Sequence, residues 1–350
     1  MKFRGIGRLR KIRSRIGFRL KNRVVVLLYH RVADLQMDPQ LLAVSPSNFA
    51  SHLDVITSQY RALSLRDLAE SVRCGKVPHR GVVITFDDGY LDNLTFAKPL
   101  MEQYQVPSAI FVSSGADGNR NVFWWDELTH LFFNQPNLPE SITLTIKGRS
   151  LRWALGCNFR SKDKEVSGRH WSVLSEQDPT PAHSAYRDLC QHLRLLDTTE
   201  REGILASIRQ QTGGDCPLRN DSRAMTRAEL SDLIRGDHIE IGAHTVSHVQ
   251  LSAISKERQI EEIKNSKQAL QEITGAPVTS FSYPYGERNH YTQETIDIVK
   301  RDRFLCACSN FEEVVTRTTD PFQIPRFVVR NWDRGEFAAK LDDWFTQPRE

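Results

Sequence analysis

Long apolar runs are missing from this sequence. The longest near the N-terminus, Val24 to Tyr29, has six residues, whereas a bilayer-crossing helix needs about 20, so no transmembrane segment is expected. Cysteine is sparse: Cys74, Cys157, Cys190, Cys216, Cys306 and Cys308 are the six in 350 residues, with no CxxC pair. That excludes a disulfide-stapled fold and points to reduced thiols and a cytoplasmic location. Repeats and low-complexity stretches are absent too. A secretory leader is not expected, because the basic opening meets too short an apolar stretch and no small-residue cleavage site. Acid is missing from the first 23 residues, which hold ten Lys or Arg. The other 327 residues then carry 37 basic and 43 acidic side chains, so the overall +4 belongs to the tail and not to the body. A nucleic-acid enzyme keeps positive charge where phosphates dock on the folded body, so no specific nucleic-acid partner is expected.

Within that tail, Phe3, Ile6, Leu9, Ile12, Ile16 and Leu20 recur every three or four positions with arginines between them. The pattern suits an interfacial helix on an anionic membrane surface, which would hold the protein peripherally at the inner membrane. Gly5, Gly7 and Gly17 argue instead for a solvated basic tail.

What remains is 39% hydrophobic and 26% charged, ample for a large core. Val24–Tyr29, Gly81–Phe86, Ser108–Val112, His238–Gly242 and Val278–Ser282 are short, nearly continuous apolar runs, as strands buried on both faces should be. Pro46 to Tyr60, Asp92 to Tyr104 and Ser255 to Thr274 have apolar residues at helical spacing, the last closed by Gly275-Ala-Pro277. Alternating strand and helix argues for a parallel α/β sheet or barrel. The stretch 121–235 breaks the rhythm, with mostly helical patterning and no buried-strand signature. The expected organisation is a basic segment 1–23, a core in two halves (24–120 and 236–335), a helical insertion 121–235 and a C-terminal helix or tail 336–350.

Three sites carry chemistry. The strand Val82 to Phe86 runs into Asp87, Asp88 and Gly89. Neighbours in a regular strand face opposite ways, so for both carboxylates to reach one centre the strand must end there, with Gly89 free to turn. One carboxylate can then bind a cation while the other takes a proton from water. In His244-Thr-Val-Ser-His248 a helical turn after the strand would put both imidazoles on one side, close enough to share a metal. Two His and one Asp leave coordination positions open, a catalytic arrangement. In Phe281-Ser-Tyr-Pro-Tyr-Gly286 the bracketing Pro284 and Gly286 make a tight turn that can aim a backbone N–H at a developing oxyanion.

Together these segments resemble the polysaccharide deacetylase family, the NodB-homology carbohydrate esterases. Thr85 to Tyr90, His244 to His248 and Phe281 to Gly286 match its three motifs in order, within Val24–Val112 and His238–Arg330. The resemblance implies a distorted (β/α)7-type barrel and metal-dependent removal of N-acetyl groups from amino sugars. It implies Asp88, His244 and His248 as ligands, Asp87 as general base and the Tyr285 N–H at the oxyanion. Zn²⁺ is the default cation for this set, with Co²⁺ and Ni²⁺ also able to bind.

Two departures stand out. Many members have Arg where this chain has Ser282, and Arg326 is the substitute suggested here to orient the base. The family's C-terminal acid His is missing, since the last histidine is His290. Leu27 to Val32 resembles the N-terminal strand of the poly-N-acetylglucosamine deacetylase branch, which implies His30 as the acid that protonates the leaving amine, with His290 as second choice. Phe123-Trp-Trp-Asp126 resembles members from surface-polysaccharide gene clusters. Tyr283, Pro284, Tyr285 and Trp125 are the expected sugar contacts, although both tryptophans could equally anchor the insertion. The expected partner is an N-acetylated glycan or a lipid-linked amino sugar. Rival expectations are a deformylase of a lipid-linked amino sugar and a non-catalytic sugar binder.

Overall fold

Residues 22–115, 122–135, 138–156, 171–214 and 222–346 are described by this computed structural model. The expected interfacial helix in the basic tail lies outside them. Among the described residues no helix is long and apolar enough to cross a membrane.

The apolar runs are strands as expected. β1 (Val24–Tyr29), β5 (Gly81–Phe86) and β6 (Ser108–Val112) are buried at every position, which explains why their sequences do not alternate. Between β1 and β5 come β2 (Arg31–Val32), β3 (Ala43–Val44), helix α1 (Pro46–Gln59), β4 (Arg61–Leu63) and α2 (Leu65–Arg73). Ser45 caps α1 by accepting from the Asn48 N–H, with Pro46 pre-set at the first turn. Asp92 to Tyr104 is a π-turn, Asn93–Ala97, running into α3 (Lys98–Tyr104).

After the insertion, β9 (Ile239–Ala243), β10 (Ser280–Ser282), β11 (Cys306–Cys308) and β12 (Phe327–Val328) complete one parallel sheet. Its order is β11-β10-β9-β6-β5-β1-β12. β4 pairs with the first half of β5 and β6 with the second. Cys308 bridges in parallel to Ile324, just before β12, so the two edges approach each other in a distorted barrel. Val24 and Val26 face a cluster with Val83, Phe111 and Cys308, while Val25, Leu27 and Tyr29 face the helical layer. Because all strands run the same way, the loops after β1, β5, β9 and β10 share one face of the barrel.

The insertion is mostly helical, with α4 (Trp124–Phe133), α5 (Pro181–Arg194) and α6 (Thr198–Thr212) around their own core, including Leu128, Phe132, Tyr186 and Ile208. The expected lack of strands there is corrected: β7 (Ser141–Ile146) and β8 (Arg149–Ala154) form an antiparallel hairpin. Ile142, Leu144 and Ile146 are buried while Thr143 and Thr145 are exposed. Lys147 and Gly148, both at positive φ, make the two-residue turn. Residues 222–235 were expected in the insertion, yet Met225, Leu230 and Leu233, around α7 (Arg227–Leu233), join the main core. The last helices, α8 (Lys256–Thr274), α9 (Gln293–Arg301) and α10 (Arg334–Thr346), also pack there, with Trp344 stacked on Phe327 at 4.5 Å.

Gly242 marks the tightest approach in β9. A Cβ there would fall on the Phe111 ring and 2.8 Å from Ser280 Oγ. Gly242→Ala should therefore cost about 1–3 kcal/mol, read as a lower urea midpoint at unchanged slope.

Candidate metal and acid–base site

Sequence places Asp87 and Asp88 at the end of β5, and the backbone turns there to bring both inward. Asp87 N–H still donates to Tyr29 O at 3.0 Å, extending the strand pattern. Asp88 then takes φ 75° and Gly89 φ 86°. A non-glycine residue in this left-handed region is held against its own preference by its surroundings. The loop after β9 does likewise, with Thr245 at φ 64° and His248 at φ 51°. The expected helical turn between the two histidines is thus absent, yet their rings still meet at 4.8 Å. Glu262 of α8 holds the loop instead, accepting from the N–H groups of Val246 and Ser247 at 2.9 Å each and from the Ser247 hydroxyl at 2.7 Å.

Asp88 Oδ1 lies 3.3 Å from His248 Nε2 and 3.7 Å from His244 Nε2. The three candidate ligand atoms all fall within 4.8 Å of one another. His244 Nδ1 donates to Ser282 O at 2.8 Å, which turns the Nε2 lone pair toward Asp88. Burial keeps both imidazoles neutral: it lowers His244, and it lowers His248 to about 3 with help from the Arg201 charge. Burial also raises Asp88, and its Oδ1 has no hydrogen-bond donor. Two neutral imidazoles beside an unsatisfied buried carboxylate oxygen are a donor set that a divalent cation such as Zn²⁺ fits.

Asp87 is engaged quite differently. Arg326 grips it with two parallel bonds, Nη1 to Oδ1 and Nη2 to Oδ2, each 2.7 Å. The same Nη2 donates to Ser282 Oγ at 2.8 Å, and Ser282 donates to Asp87 Oδ2 at 3.2 Å. Burial alone would favour the neutral acid, but the Arg326 charge and its hydrogen bonds outweigh it and hold Asp87 well below the usual carboxylate range. Arg326 is itself fixed by Nε donating to Ser309 O at 2.8 Å.

A cavity of about 380 Å³ opens over these groups, lined by His30, Asp87, Asp88, His244, His248, Tyr285 and His290 from the barrel. His30 follows β1, and Asn93 fixes its carbonyl at 2.8 Å. Burial lowers the His30 imidazole against the opposing pull of Asp88 and Asp87. His290 Nδ1 accepts from the Glu287 N–H at 3.2 Å. Tyr285, at φ 61°, packs its ring edge against His248 at 4.8 Å, and among the described residues its backbone N–H has no hydrogen-bond acceptor.

Two expected sugar contacts are corrected. Tyr283 is buried, stacked on Tyr291 and hydrogen-bonded to Phe322 O at 3.0 Å, and Pro284 also stays off the cavity wall. The strand alternation that brings Ser282 to Asp87 turns Tyr283 the other way. Trp125 does line the cavity, but its N–H is committed to Tyr90 Oη at 2.6 Å and its ring meets His248 at 4.9 Å. It ties the insertion to the barrel through Tyr90, which donates to Asp126 at 2.6 Å beneath the Arg31 guanidinium. Burial pushes Asp126 up to about 7, against the pull of Arg31.

Several contributors escaped the sequence reading. Glu262 left a signal: it shares the inward face of α8 with Gln259, Ile263, Ser266 and Leu270, where an acid is out of pattern. Arg187 and Arg194, on the insertion wall of the cavity, left none.

Comparison with known proteins agrees with this geometry. Residues 219–302 match the family model described as polysaccharide deacetylase. A 113-residue stretch is 29% identical to the poly-beta-1,6-N-acetyl-D-glucosamine N-deacetylase of Escherichia coli (strain K12), covering 31% of this chain and 17% of that protein. The chain thus spans under a fifth of that relative. In fold it is similar to the Streptococcus pyogenes deacetylase PplD, solved in complex with acetate (TM-score 0.56, 15% identity, 91% of this chain and 98% of that one). It is equally similar to IcaB from Ammonifex degensii (TM-score 0.55, 16% identity, 93% and 98%).

Arg326→Gln should destabilise the protein by about 3–5 kcal/mol at pH 7, because it leaves a buried carboxylate unpaired. In the wild type Asp87 titrates below its unfolded value, so its contribution is complete above that value and is lost as pH falls. In the variant, burial raises Asp87 and acid relieves the penalty. The gap between the two urea midpoints should therefore narrow from pH 7 to pH 4.

Proposed function

With this chain a relative of the polysaccharide deacetylases in sequence and fold, we propose that it hydrolyses the N-acetyl group of an amino sugar in a surface glycan or its precursor. One observation carries the reading: Asp88, His244 and His248 converge within 4.8 Å beside a second carboxylate clamped by Arg326. Asp88, His244 and His248 would hold the cation, Zn²⁺ in the first instance. Its contribution is to polarise the amide carbonyl and to make water a stronger acid.

The protein's own groups supply the rest. Asp87 is kept ionised by Arg326 and positioned by Ser282, so it is ready to take a proton from the attacking water. As a weak base, it needs that water to be acidified. The free Tyr285 N–H is placed to donate to the oxyanion as the carbonyl becomes tetrahedral. When the C–N bond breaks, the leaving nitrogen needs a proton. His30, which lines the same cavity from the end of β1, serves as its source. The products are acetate and the free amine. Trp125 and Tyr285, packed on His248, restrict water and steady the ligand.

Acetate release from N-acetylglucosamine oligomers by the zinc-loaded chain tests this reading. Asp87→Asn should lower kcat by about 10²–10⁴-fold while zinc content by elemental analysis stays at one per chain. His244→Ala should lose the zinc, and with it the activity. His30→Gln should reduce kcat by about 10²-fold with a smaller change in KM. Full turnover in Asp87→Asn or His244→Ala would end the assignment.

A further inference from the structure

Two arginines of the insertion stand at or beside the cavity without a carboxylate partner among the described residues. Asp87 is matched by Arg326, and under the proposed reading Asp88 is matched by a cation. The insertion side presents Arg194, at the end of α5, on the cavity wall, and Arg201, in α6, beside the cavity residue Trp124. Among the described residues neither forms an ion pair.

Arg194 lines the cavity, its guanidinium 5.4 Å from the Tyr285 ring centre, with Nε buried and unpartnered. Arg201 is 3% exposed, stands 5.7 Å from the Trp124 ring centre and has an unpartnered Nη1. Its charge reaches both His248 and Tyr285. Two cavity residues, Tyr285 and Trp124, bring a hydroxyl and an indole N–H that have at most each other as partners. Arg187 shows what a structural arginine looks like on the same wall, because Asp178 at 2.6 Å and the Ser175 carbonyl at 2.9 Å use up its donors. Among the described residues, the only carboxylate lining the cavity besides the two aspartates is Glu287, whose side chain is 65% exposed.

A buried guanidinium without a counter-charge is costly, and so is a buried donor without an acceptor. Here two guanidinium groups, a hydroxyl and an indole N–H gather with no carboxylate paired to them among the described residues. Their complement is an anionic oxygen group, which the planar guanidinium fork matches in geometry as well as charge. A cavity of about 380 Å³ holds a sugar with one substituent.

We propose that the substrate carries a phosphate or carboxylate on or next to the acylated sugar, bound by Arg194 and Arg201 with the Tyr285 hydroxyl and the Trp124 N–H. This subsite rests on the deacetylase reading, since it orients the acylamino group toward Asp87 and Asp88.

The test compares three probes on the zinc-loaded chain by calorimetry: N-acetylglucosamine 1-phosphate, N-acetylglucosaminuronic acid and the neutral methyl N-acetylglucosaminide. One anionic probe should bind at least about tenfold tighter than the neutral one, and which one it is names the anion. Arg194→Gln should shrink that preference to about twofold or less, whereas Arg194→Lys keeps part of it; Arg201→Gln, if it folds, should act as Arg194→Gln does. Equal binding of all three probes overturns the proposal, and so does a preference that survives in Arg194→Gln. Acetate release from all three probes, measured in parallel, separates the two ideas. Anion preference without any turnover would sink the deacetylase reading and leave the subsite, and turnover without preference would do the reverse.

Discussion

The grip of the Arg326 guanidinium on the Asp87 carboxylate decides what the rest of the site can be. Asp87 and Asp88 are adjacent, equally buried, and pushed by burial toward the neutral acid. Two like charges so close would repel, and in an apolar wall one would protonate. Arg326 resolves the conflict for Asp87 alone, with both Nη atoms on the carboxylate and Nε anchored on Ser309. Asp88, with no such partner, is left as the acceptor seeking a cation. One guanidinium thereby gives two chemically identical neighbours different roles.

The barrel was legible because its strands are buried on both faces. Val24–Tyr29, Gly81–Phe86 and Ser108–Val112 read as strands from apolar content alone. The residue types at the centre were legible too, since the acids after one strand and the histidines after another each supply what the other lacks. What sequence could not deliver was conformation. A helical turn would bring His244 and His248 together, but Glu262 supplies acceptors for the loop's N–H groups from outside, so the loop takes left-handed residues instead. Arg326 could be named as a candidate, but not its bidentate geometry, which depends on where β12 meets β1. The hairpin at Ser141–Ala154 was missed for another reason. Strands buried on both faces are continuous apolar runs, whereas a hairpin exposed on one face alternates with period two.

The insertion is more than an ornament on the barrel. Through Trp125, Tyr90, Asp126 and Arg31 it is fastened to the strand ends that carry Asp88 and His30. The fastening brings α5 over the centre, so that Arg187 and Arg194 become cavity wall. The barrel can in this way keep its strand-end residues fixed while a separately packed unit, with its own core, shapes the opposite side of the pocket.

The pair that sets the site spans 239 positions of the chain. A ribosome releases residues in order, so the Asp87 carboxylate emerges long before the cation that will neutralise it. Until Arg326 follows, the loop after β5 cannot close around an ionised acid without a severe penalty. The loop after β5 must therefore be among the last parts of the molecule to close, and a nascent chain halted short of Arg326 would lack the partner of Asp87 even with most of its barrel assembled.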